Sequence, residues 1–190
     1  MVRDLLLLQC WPQLVSRHWK RYHVFVDFDI AAAGGDLRVL IWQQVLAVRW
    51  QPIPTFDGLT RFRTIQSRHI RSLAGKKAVI ISYSNASGND LHFDPGSRDL
   101  VAAVMNDAKT HTMGMAQVIA GDGFGAASVR SVLSGIQLSV RPDYPVKLFR
   151  DAQSAFRWLE DILDEAGCSE LAPALDEMLT ELEHIESRTN

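Results

Sequence analysis

Three stretches of this 190-residue chain carry residue types at spacings that chemistry can use. Gly121-Asp122-Gly123-Phe124-Gly125-Ala126 fits G-x-G-x-x-A, in which a glycine turn leads from a strand into a helix and backbone N–H groups at the helix start hold a phosphate. The unit comes late in the chain, and the acid after the next strand, Asp151, suits a helix cap better than a ribose ligand. Phe124 suits a core anchor, so the plainer expectation is a turn that lets the helix pack close to the sheet. Ser84, Ser87, His92 and Asp94 fall in one polar stretch and supply the types of a Ser-His-Asp hydrolase, but no G-x-S-x-G elbow is present and one loop gives such a group no rigid support. Arg61, Arg63, Arg68 and Arg71, followed by Lys76 and Lys77, make residues 59–77 a basic helix of the sort that can contact phosphates. The six histidines show no H-x₃-H spacing, and Cys10 and Cys168 form no disulfide framework or zinc pattern. No catalytic residue, metal or cofactor is therefore expected.

These residues need elements to position them. Val24–Ile30 alternates apolar and polar residues and reads as a strand; Ala33-Gly34-Gly35-Asp36 is turn chemistry, and Leu37–Trp42 returns as a second strand. Strand character continues through Val45–Val48. Thr55 caps a helix to about Leu73, closed by Gly75. Ala78–Ile81 is a buried strand followed by a polar loop over 82–90. Asp94-Pro95 starts a helix with Leu100, Val101, Val104, Met105 and Ala108 on its apolar face. A strand over Ala116–Ala120 leads into a helix carrying Val129, Val132, Leu133, Ile136 and Val140. Pro145–Phe149 is the last strand; Asp151 caps a helix with Ala152, Ala155, Phe156, Leu159, Ile162 and Leu163, and Gly167 ends it. A final helix covers about Ser169–Ser187. The order β-β-α-β-α-β-α-β-α plus one helix predicts an α/β domain with a mixed sheet of about five strands. The boundaries are an N-terminal arm over 1–21, an α/β body over 22–167 and an acidic amphipathic helix over 168–190.

Composition bounds the rest. At 21.3 kDa and 47% hydrophobic, the chain has the size and apolar content of one globular domain. No apolar run approaches a membrane span, so a cytoplasmic protein is expected. The net charge of −2 hides a split: residues 1–150 hold 18 basic and 11 acidic residues, residues 151–190 hold 2 and 11.

Element order and two local stretches resemble the STAS (SpoIIAA-like) domains, anti-sigma-factor antagonists and related regulators, over about residues 23–165. The stretches are Val118–Phe124 running on to Ser131–Gly135, and Val146–Asp151 ending in Ala155-Phe156-Arg157-Trp158-Leu159, a pattern also found in uncharacterised bacterial STAS-like proteins. The resemblance implies a non-enzymatic protein-interaction domain. In anti-sigma antagonists a serine in an Asp-Ser-Ser/Thr-Gly signature, between the third strand and the second helix, is phosphorylated and releases the partner. Here the connection holds Ser84-Asn85-Ala86-Ser87-Gly88. Ser87 is the candidate phosphosite, but Ala86 and Asn85 depart from the signature and predict no stoichiometric phosphate.

Leu171, Leu175, Met178, Leu182 and Ile185 step by 4, 3, 4 and 3, an a/d stripe that must be buried against something. A basic, apolar surface suits this acidic helix: the Arg61–Arg71 helix, the arm with Arg17, Lys20 and Arg21, or a partner. The expected function is a regulatory or scaffold domain acting through a protein partner, with homodimerisation as a further candidate and no membrane contact. The alternatives are a small-ligand or nucleotide sensor at Gly121–Ala126 and a weak nucleic-acid binder at 59–77. A solvated basic face outweighs the last.

Overall fold

The computed structural model describes residues 29–32, 36–86 and 93–184, of residues 183 and 184 the backbone only. Its elements are β1 (Asp29–Ala32), β2 (Leu37–Trp42), β3 (Val45–Trp50), α1 (Phe56–Ser72), β4 (Ala78–Asn85), α2 (Pro95–Asp107), β5 (Thr112–Ala120), α3 (Phe124–Val140), β6 (Val146–Phe149), α4 (Ala152–Glu165), a 3₁₀ turn (Ser169–Leu171) and α5 (Ala172–His184). One six-stranded sheet runs β1-β2-β3-β4-β5-β6. Its first three strands are antiparallel and β3 to β6 are parallel, so it is mixed, as expected. The segment over 24–28 and the whole arm over 1–21 lie outside the described residues.

β5 begins at Thr112, four residues before the expected start, and two elements differ in kind from the sequence reading. Val45–Trp50 does not continue β2 but folds back on it, with Trp42 opposite Val45, so the strands number six instead of about five. The reversal is a two-residue turn at Gln43-Gln44 with φ of 48° at Gln43, made without the glycine or asparagine that usually marks such turns. The second difference is β4, which runs on through Ser82-Tyr83-Ser84-Asn85 where a loop was expected. The strand is central, and this polar stretch pairs with Val48–Trp50 on one side and Gln117–Ala120 on the other, so both ladders satisfy its backbone.

The layers follow from the strand order. Successive parallel crossovers of one hand, in a sheet whose strands follow chain order, put their helices on one face. There α1, α2 and α3 bury Leu59, Phe62, Val101, Val104, Met105, Val129 and Leu133 against Leu46, Val48, Ile80, Met115 and Ile119. Among the described residues no strand follows α4, which covers the opposite face with α5. On that face Gly114 lets α4 sit close to β5, since a Cβ there would lie 2.8 Å from Ile162 Cδ1. The caps read from sequence hold: Thr55 Oγ1 accepts from Gly58 N at 3.1 Å, Asp94 from Ser97 N at 2.8 Å and Asp151 from Ser154 N at 2.7 Å.

The acidic C-terminal helix is part of this second core. Leu171, Leu175, Met178 and Leu182 are fully enclosed, and so are Ala174 and Leu179, which the a/d stripe left out. The stripe is thus the wide face of a globular helix and not the narrow seam of a coiled coil. It does not dock on α1, which lies across the sheet; the arm, the other surface expected within the chain, is outside the described residues, as is Ile185. The basic, apolar surface is the sheet itself: Arg38 on β2 pairs with Glu181 at 3.0 Å, and buried Arg49 on β3 donates to the Leu182 carbonyl while lying over the Tyr83 ring. That carbonyl belongs to the last described turn of α5. Among the described residues no helix is long and apolar enough to cross a membrane.

Candidate functional site

Because β3, β4 and β5 are parallel, α1, α2 and α3 all begin at one end of the sheet and lie side by side. This is the carboxyl end of the parallel strands, outside which open α/β sheets bind ligands. Phe56, the first residue of α1, is 53% exposed and Phe124, the first of α3, is 81% exposed, while the large apolar residues beneath them are buried. They stand on either side of the start of α2, where Asp94 accepts from both the backbone and the hydroxyl of Ser97. Those hydrogen bonds hold its carboxyl below the usual carboxylate range. Next to Phe56, Asp36 receives hydrogen bonds from Thr55 Oγ1 and Arg61. The candidate phosphosite Ser87, with Gly88 and His92, belongs to the segment leading into α2 and lies outside the described residues.

The glycine turn sits at this end. Gly121 and Gly123 have φ of 101° and 91°, and Gly123 starts α3 without a side-chain cap. Behind the turn Arg130 donates to the carbonyls of Ile119 and Gly121, at 2.9 and 3.4 Å, tying the end of β5 to α3. Gly125 and Ala126 are buried against the sheet, whereas Asp122 is exposed. Phe124 is not the core anchor that was expected: as the first residue of the helix it points away from the face that Val129 and Leu133 bury.

The hydrolase reading loses its loop. Ser84 is inside β4 and only 1% exposed, with no hydrogen-bond partner for Oγ, and Asp94 is engaged in capping α2. Ser84 belongs instead to a polar stripe on the core face of the central strands. Ser82 accepts from Trp50 Nε1 at 2.9 Å, and Gln117 accepts from Gln137 at 2.8 Å. Trp50, Ser82, Ser84 and Gln117 line, with Leu59 and Leu133, a cavity of about 30 Å³. That is water-sized and far below the several hundred Å³ of a ligand pocket.

The four arginines of α1 do not act as one surface. Arg61 pairs with Asp36, and Arg63 reaches Asp107 through Nε at 2.6 Å and Nη2 at 3.3 Å. The Arg63–Asp107 hydrogen bond and charge raise the basicity of Arg63. Arg68 and Arg71 are exposed near the other end of the helix, with no ion pair among the described residues. The exposed aromatics and the arginine contacts to α5 escaped the sequence reading. Nothing in the local sequence separates Phe56 and Phe124 from core aromatics, or Arg38 and Arg49 from ordinary strand arginines.

The molecule is thus a three-layer α/β protein with an aromatic-bearing end where three helices start. A scan against protein-family models finds no matching model, and searches of the curated proteins and of the solved structures find no match.

Proposed function

We propose that this protein is a non-catalytic regulatory or scaffold domain of STAS-like type, working by binding another protein. The observation that carries the reading is the pair of exposed aromatics, Phe56 and Phe124, on either side of the α2 start. Large aromatic side chains left in water are the usual anchors of protein interfaces. The STAS resemblance adds a reason for the location, since the regulatory connection of those domains joins the strand and helix that here are β4 and α2. The small-ligand alternative keeps one supporting feature, the uncapped start of α3.

The test compares the immobilised full chain with its Phe56→Ala/Phe124→Ala double variant in native lysate. Both side chains are surface-exposed, so the variant is expected to fold with a stability change within about 0.5 kcal/mol. The wild type should retain a partner in stoichiometric amount and the variant should lose it. If both forms retain the same proteins equally, this surface is not the interface.

A further inference from the structure

The opposite end of the sheet gathers positive charge that no single stretch of sequence shows. There α1, α2 and α3 end on one face of the sheet, α4 ends on the other, and β4, β5 and β6 begin. Hydrogen bonds join the three connections: Ala78 N donates to the His111 carbonyl at 2.8 Å, Lys109 Nζ to the Val140 carbonyl at 3.1 Å, and Thr110 N to Asp143 at 3.4 Å. Arg68 and Arg71 of α1, Lys76 and Lys77 before β4, Lys109 after α2 and Arg141 after α3 therefore share one edge. With the Arg63–Asp107 pair cancelling, these six cations face the carboxylate of Asp143 on this side of the sheet among the described residues.

Cations at helix C-termini are ordinarily read as partners of the helix dipoles. Three C-termini supply roughly −1.5 charges in all, at about half a charge each. Set against a side-chain balance of +5, that leaves the α1–α3 face of the edge at about +3.5. Arg68, Arg71, Lys76 and Lys77 are all exposed, with no ion pair among the described residues. On the opposite face of the sheet α4 ends at this same edge with Asp161, Asp164 and Glu165, so the excess positive charge belongs to the face that α1, α2 and α3 cover.

We propose that this edge binds the phosphate backbone of a nucleic-acid duplex without reading its sequence. With neighbouring helices about 8–10 Å apart, three helix ends span roughly 20 Å. A duplex carries one charge per ~1.7 Å of axis, so that length meets the row with phosphates to spare. A protein partner fits less well, because protein interfaces are anchored by aromatics, and the large exposed aromatics among the described residues, Phe56 and Phe124, are at the other end. The same lack of a stacking platform disfavours single strands. This surface is independent of the aromatic end and of the function proposed for it.

The experiment is fluorescence anisotropy with a labelled DNA duplex of about 20 base pairs in mixed sequence, over a salt series. Four free cations predict a log–log salt slope of about −3.6 and roughly a 150-fold loss of affinity between ~50 and ~200 mM salt. The variant Arg68→Gln/Arg71→Gln/Lys76→Gln/Lys77→Gln should lose that slope, while Lys76→Arg/Lys77→Arg should keep it. Melting curves of both variants establish that they are folded. The proposal is overturned if the wild type leaves the duplex free at the lowest salt, or if the four-glutamine variant, folded, binds as the wild type does. It is overturned equally if the wild type sediments with phosphatidylserine vesicles but ignores the duplex, which would make the edge a lipid surface.

Discussion

Ending the chain after Gly167 removes the 3₁₀ turn and α5, and the structure says how much that should cost. Leu171, Leu175, Met178, Leu179 and Leu182 are each at most 3% exposed. At about 1.5–3 kcal/mol for each fully buried side chain, their burial contributes roughly 7–15 kcal/mol, an upper figure because the unfolded chain already hides some of this surface. A domain's whole stability is about 5–15 kcal/mol. Truncation also takes the Leu182 carbonyl from buried Arg49 and Glu181 from Arg38, and it opens the sheet face of Leu40, Val45, Ala47 and Val79 to water. The truncated protein should therefore be unfolded or aggregated. Leu175→Ala measures the same interface within the intact chain: urea unfolding should lose about 2–5 kcal/mol, while Asp176→Ala, on the exposed side of the same turn, stays within about 0.5 kcal/mol. A truncated chain that unfolds cooperatively with less than about 1 kcal/mol lost would refute the reasoning, for a helix worth so little is not part of a core.

Two further outcomes follow from single residues. Gly123 has φ of 91° and ψ of −171°, a region essentially reserved for glycine, and no atom lies within 4 Å of where a Cβ would stand. Gly123→Ala should thus cost about 1–3 kcal/mol through the backbone alone; added ATP should leave the melting temperature of both forms unchanged, and a rise confined to the wild type would show a ligand at the turn. His69 is 5% exposed with Nε2 unpartnered, and burial lowers its pKa. The unfolded chain then takes up a proton that the folded one resists, so stability should fall as the pH drops below about 6.5, by at most ~1.4 kcal/mol per pH unit for this one proton. In His69→Leu that part of the slope should vanish, and an unchanged pH dependence of urea unfolding would exclude His69 as its source.

Helices were the most legible part of the sequence because their signals are local. Thr55, Asp94 and Asp151 each cap the helix they were expected to start, through a contact three residues long. Strand limits depend on what lies alongside. Ser82-Tyr83-Ser84-Asn85 has loop composition and becomes strand because β3 and β5 flank it on both sides. Gln43-Gln44 has no turn signature and reverses the chain because the apolar residues of β2 and β3 register across it. The partner of α5 was half legible: its stripe required an apolar surface with positive charge, but only the fold shows that Arg38 and Arg49, on adjacent strands, supply it.

The basic helix shows the same limit most sharply, and it bears on function. Read along the chain, Arg61, Arg63, Arg68 and Arg71 are equivalent cations on one element. Folding makes them different. α1 starts at one end of the sheet and finishes at the other, so Arg61 meets Asp36 beside the first turn and Arg63 is spent on Asp107 of α2, while Arg68 and Arg71 are carried to the far edge. What joins them there comes from the connections before β4, β5 and β6, up to about 70 residues away in the chain: Lys76, Lys77, Lys109 and Arg141. Parallel crossovers stack helix C-termini together, and each C-terminus favours cations locally. A property chosen separately at three helix ends thereby becomes one surface with an excess charge that the dipoles alone do not absorb. Charge counted along a sequence window misses such a surface, and charge counted over one face at one end of the sheet finds it.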